Sequence, residues 1–119
     1  MSSSLKNDIK AETNYLLIQW GAYGIQHNLQ YKSWLGKFAG KTKQRPITIT
    51  DQEFQEIDAV VSRIRLISDR THEFAKLYYI KGYSLRSLAD YYKMTKSAAE
   101  REKAFIVDFV MIALNEHLN

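Results

Sequence analysis

Lys96, Ser97, Glu100 and Arg101 fall within six residues, inside the stretch YSLRSLADYYKMTKSAAEREKAF at 83–105. Spacings of one, three and four put such residues on one side of a helix. Their chemistry is that of base-edge recognition in a DNA major groove. Arginine or lysine pairs with guanine, glutamate accepts from the cytosine amino group, and serine bonds to several edges. Around them Ser84, Arg86, Lys93, Thr95 and Lys103 supply hydroxyls and cations suited to phosphates. Contacts of that kind set register and carry no sequence information.

Base readout requires that the last helix be thrust outward, and the flanking residues suit that task. Ser84 is placed to cap a short helix with Leu85, Leu88, Ala89 and Tyr92 inward. A break follows at Lys93-Met94, and Thr95 caps the next helix. In a helix-turn-helix the first helix runs about two turns, and a turn of three or four residues aims the second into the groove. Ala89 is the small residue that permits a close crossing, Met94 plugs the gap, and Ala99 faces back toward Ala89. DRTHEFAKLYYIKG, just upstream, supplies a third supporting helix. This order resembles the C-terminal promoter-reading domain of sigma factors. The same residues also suit a plain helical hairpin with a solvated charged face. Glu102 favours that second reading, because many helix-turn-helix segments have an aliphatic residue there. On the residues alone both readings stay open.

Five glycines and one proline in 119 residues predict an all-α fold, a small helical bundle ending in the sigma-like helix-turn-helix. The run AETNYLLIQWGAYGI predicts a helix from about Lys10 to Ile25, weakened by Gly21 and Gly24. Residues 27–49 are least regular, with Tyr31, Trp34 and Phe38 among Gly36, Gly40 and Pro46. Those aromatics are expected to dock the loop on the core, although stacking on bases is chemically open to them. Thr50-Asp-Gln-Glu53 is a capping box. Phe54, Ile57, Val61 and Ile64 then form one apolar stripe, ending near Ile67. Ser68-Asp69 offers caps for the next helix, and Gly82 suits the left-handed turn closing it. The organisation expected is an N-terminal helix plus basic aromatic loop (1–50) and a helical core (51–119), forming one compact domain over 10–118.

Net charge is +4 and unevenly placed. Residues 1–50 hold seven Lys/Arg against Asp8 and Glu12, and Lys32, Lys37, Lys41, Lys43 and Arg45 fall in fourteen residues without an acid. A second basic region, 76–103, has seven Lys/Arg against Asp90, Glu100 and Glu102. Such patches attract polyanions, though a charged solvated face is the commoner meaning. The absence of cysteine removes disulfides and thiolate metal sites and suits a reducing cytoplasm. His27, His72 and His117 lack ligand spacing. No run approaches the ~20 apolar residues of a membrane span, and MSSSLKND has no apolar signal block. Catalysis is not expected, and neither is a cofactor. Asp51, Glu53 and Glu56 read as acids favouring a helix N-terminus; His72 reads as a surface residue.

Three further segments carry a family resemblance: QWGAY at 19–23, the basic segment ending in Arg45-Pro46, and DQEFQEIDAVVSRIRLI followed by FAKLYYIKGYSLRSLADYY. Together they resemble the short-form Q antitermination proteins of lambdoid phages over about residues 15–114. The chain departs from that pattern in lacking cysteines in the helix-turn-helix and in having Glu102 and Lys103 at a more apolar stretch. The resemblance implies a protein of the bacterial host cytoplasm that binds double-stranded DNA at the phage late promoter. It further implies association with bacterial RNA polymerase paused downstream, and readthrough of terminators by blocking hairpin formation at the RNA exit channel. On that view the cluster Lys32 to Arg45 contacts nascent RNA or polymerase. A sigma-like regulator acting at initiation, and a polymerase-binding module without specific DNA binding, are the competing readings. The exposed aromatics leave room for self-association.

Overall fold

The computed structural model describes residues 3–27 and 46–116, with side chains from Asp8 onward. Among these residues the chain forms five α-helices and no strand: α1 (Ser3–His27), α2 (Asp51–Arg63), α3 (Asp69–Tyr79), α4 (Leu85–Tyr92) and α5 (Lys96–Asn115). A 3-10 turn, Ile64–Leu66, extends α2, so the chain leaves its helical path at Ile67 as the stripe implies. The long α5 touches every other helix.

The helix ends follow from local chemistry. Thr50 closes a full capping box: its hydroxyl accepts from the Glu53 amide (3.1 Å) while the Glu53 carboxylate accepts from the Thr50 amide (2.8 Å). Ser68, Ser84 and Thr95 each accept from the third following amide, at 3.2, 3.0 and 3.1 Å. Gly82 closes the turn after α3 with φ +77, a conformation that carries no steric cost for glycine. The end of α4 is built differently. Lys93 takes the left-handed conformation (φ 55, ψ 48), and the Met94 amide reaches back to the Ala89 carbonyl at 2.9 Å. That is a Schellman closure with a lysine in the position glycine usually holds.

Core packing is centred on Leu17, Trp20, Ile64, Phe74, Ile80, Leu88, Ile106 and Val110, all fully buried or nearly so. Trp20 also donates through Nε1 to Asp58 Oδ1 at 3.1 Å, satisfying its polar edge within the core. One turn of α1 approaches α3 at backbone range. A Cβ built on Gly21 would stand 2.0 Å from the Tyr79 carbonyl oxygen. The glycine that lowers helix propensity in α1 is thus what lets α1 lie against the end of α3. With that contact in place α1 runs unbroken to His27, two residues beyond the expected end; at its other end it begins at Ser3 rather than Lys10.

Gln19, beside it, works as a clamp. Its Nε2 donates to the Pro46 carbonyl (3.0 Å) and its Oε1 accepts from the Thr48 amide (2.7 Å). Tyr15 and Tyr23 add hydroxyl contacts to Thr48 and Asp51, both 2.6 Å. The segment leading into α2 is therefore sewn to α1. Gly21→Ala is expected to lower stability by roughly 1–3 kcal/mol, read as a shift in the urea unfolding midpoint. A midpoint unchanged or raised would show that the helix approach yields freely.

Candidate nucleic-acid interface

Lys96, Ser97, Glu100 and Arg101 are all exposed, on the first two turns of α5. They form two adjacent lines on the helix. Lys96 and Glu100 continue to Lys103, and Ser97 and Arg101 continue to Ala104, following the 3.6-residue repeat. The second line then meets Asp108, whose carboxylate lies 3.3 Å from Lys10 Nζ of α1. That ion pair bounds the outward patch at its lower end.

The support behind this patch is α3. Tyr92 of α4 donates to Glu73 at 2.6 Å, and its ring stacks near Phe74 at 6.1 Å. From α5, Glu102 turns inward: Oε1 accepts from the Thr71 hydroxyl at 3.2 Å, and Oε2 lies 2.8 Å from Arg70 Nη2. Oε2 receives no aligned hydrogen bond, so the Arg70 contact is chiefly electrostatic. Glu102 thus ties α5 to α3 and has no place on the outward face. Two buried alanines, Ala89 and Ala99, lie on the paired helices, and Met94 packs against the core beside them.

The expected phosphate ligands are less uniform. Arg86 and Lys93 are exposed, and the left-handed backbone at Lys93 lies in the turn itself. Ser84 and Thr95 are exposed as well, but their hydroxyls serve as caps; Ser84 Oγ also donates to Ser87 Oγ at 3.0 Å. Lys103 is half-buried, its Nζ 5.2 Å above the Tyr78 ring, a cation–π contact that draws it toward α3. Lys32, Lys37, Lys41, Lys43 and Arg45 lie outside the described residues.

Tyr91 escaped the reading of the sequence. It is 57% exposed and meets Tyr83 edge-on at 6.5 Å, giving this surface an aromatic corner beside Lys93. The inward stripe Leu85, Leu88, Ala89 and Tyr92 already leaves Tyr91 off the inner face, which is the signal that could have found it. His72 is corrected from surface to interior: it is 8% exposed. Position 72 falls in the first turn of α3, where its ring turns toward the core. Burial, then the positive charges of Lys76 and Arg65, lower its pKa from 6.5.

Among the described residues no group of three or more His, Asp or Glu could hold a metal. No helix described is long and apolar enough to cross a membrane. Residues 10–116 match the family model of phage antitermination protein Q. The chain belongs to that family. No curated protein and no solved structure matches it significantly. Membership makes the chain a regulatory protein of phage transcription with an antiterminator role. The family resemblance noted on QWGAY and the Ile57-Asp58 region now has structural content: Gln19, Trp20, Gly21 and Asp58 are bundle-forming residues.

The depressed His72 pKa has a definite sign. The unfolded chain binds the proton more readily, so this contribution to stability is present above pH 6.5 and is lost as pH falls through the folded value. Melting temperatures measured from about pH 8 to pH 5 should therefore decline for the wild type more than for His72→Gln. Parallel curves would show that His72 is not held neutral.

Proposed function

We propose that α4, its three-residue turn and α5 act as a sigma-like helix-turn-helix that binds a double-stranded DNA element at the phage late promoter. From there the protein joins bacterial RNA polymerase paused downstream and travels with it through terminators. The observation that supports this most strongly is the outward placement of Lys96, Ser97, Glu100 and Arg101 on a helix tied from behind through Glu102. A preorganised helix loses little freedom on docking, so its charge-assisted contacts are retained as affinity.

In this reading Lys96, Ser97, Glu100 and Arg101 face base edges. Arg86 and Lys93 engage phosphates, with Ser84, Thr95 and Lys103 at the margin. Lys32, Lys37, Lys41, Lys43 and Arg45 are assigned to nascent RNA or polymerase on charge density. The two halves, 1–50 and 51–119, cooperate as one unit through the Trp20–Asp58, Tyr23–Asp51 and Asn14–Tyr79 hydrogen bonds.

A run-off transcription assay with a terminator downstream of the late promoter tests the role. The fraction of polymerase passing the terminator should rise with added protein; a change confined to promoter output would indicate a regulator of initiation. Replacing Lys37, Lys41, Lys43 and Arg45 by alanine should lower readthrough, and unchanged readthrough would remove the basic cluster from the mechanism.

Two substitutions separate readout from register. Arg101→Ala should weaken cognate binding by about 1–3 kcal/mol and random duplex far less. Lys93→Gly suits the left-handed backbone and should weaken both duplexes alike, reducing the salt slope by about one. Equal losses on cognate and random DNA for Arg101→Ala would deny it a base contact.

A further inference from the structure

The turn joining α2 to α3 carries two aliphatic side chains that the bundle does not use. Leu66 is 87% exposed and Ile67 60% exposed. Scattered apolar residues on a surface are ordinary, but these two are adjacent and held on a fixed platform. The Ile67 and Ser68 amides both donate to the Ile64 carbonyl, at 2.9 and 3.0 Å. Ile64 itself is fully buried, and Ser68 caps α3. Little backbone freedom is left to lose on docking.

Cations flank the pair in sequence. Arg63 and Arg65 are exposed and have no ion-pair partner among the described residues. Arg70 is 58% exposed while bridging to Glu102. Asp69 is the acid of this turn, leaving the tip positive. Exposed aliphatic anchors flanked in sequence by arginines suit a protein contact, with apolar contacts at the centre and charge at the rim.

We propose that Leu66 and Ile67 form a docking knob for a protein surface that presents an apolar groove rimmed by carboxylates. The inference rests on the polymerase-association part of the proposed function and assigns the partner surface to RNA polymerase. A nucleic acid would satisfy the arginines but leave both aliphatic side chains wet. A second copy docking through the same patch would set identical arginines face to face, because an isologous contact repeats its own charges. A lipid surface calls for an amphipathic helix with a broad apolar face, which a two-residue turn does not supply.

The test uses the full chain, purified bacterial RNA polymerase and, in parallel, duplex DNA. Leu66→Ser/Ile67→Ser should bind polymerase at least about ten-fold more weakly, with melting temperature and DNA affinity unchanged. Arg63→Glu/Arg65→Glu should weaken polymerase binding too, and the wild-type affinity should fall with added salt. Undiminished polymerase binding by the serine variant overturns the knob while leaving the polymerase reading intact. Equal losses on DNA would make the patch a nucleic-acid surface, and loss only of self-association in sedimentation would make it a contact between copies; both overturn the inference. A wild-type chain without affinity for polymerase overturns the association itself.

Discussion

The bundle depends on α1 lying against the C-terminal end of α3 with no side chain between them. Gly21 faces the Tyr79 carbonyl at a distance that leaves no room for a methyl group. That approach seats Trp20 against the rest of the core, with its indole N–H on Asp58 of α2. It also brings Asn14 within 2.7 Å of the Tyr79 hydroxyl. Burial raises the Tyr79 pKa well above its ordinary value, so the phenol stays a proton donor. One absent methyl group thereby registers α1, α2 and α3 together. The helix-propensity cost of a mid-helix glycine, about 1 kcal/mol, is small beside the packing it allows.

Registered in this way, α3 becomes the backing for the α4–α5 pair. Its N-terminal half holds α5 through Thr71, Arg70 and Glu102, and Glu73 and Phe74 hold Tyr92 of α4. Both burial and the Glu73 bond push the Tyr92 pKa up, so this tie persists through the physiological range. The inward turn of Glu102 resolves a conflict in the sequence. A charged residue at a position where many related motifs are aliphatic fits the bundle because a cation and a hydroxyl wait for it. The two turns above it remain free for a partner.

Much of this architecture was legible in the chain. Thr50, Ser68, Ser84 and Thr95 each marked a helix start, since their hydroxyls suit the orphan amides there. Gly82 marked a stop, and the stripe Phe54, Ile57, Val61 and Ile64 marked an inner face, all four buried. Contacts between distant segments were not legible. Gly21 read as a weakness because propensity registers the helix cost and is blind to a neighbour's carbonyl. His72 read as surface because polar neighbours in sequence are not its neighbours in space. Leu66 lies off the stripe, two residues past Ile64, but the exposure of Ile67 at the helix end required coordinates. At the interface the residue types and spacing were plain from sequence. The cation–π contact of Lys103 with Tyr78, and the edge-on contact of Tyr91 with Tyr83, required coordinates.

The claim on which the functional account turns is that the first two turns of α5 enter a major groove. A photo-cross-linking side chain at Ser97, compared with one at Glu116 at the far end of α5, tests it on duplex DNA spanning the late promoter. Cross-links to DNA from position 97 and none from position 116 are expected. A bound complex that cross-links from neither position, or equally from both, would contradict it.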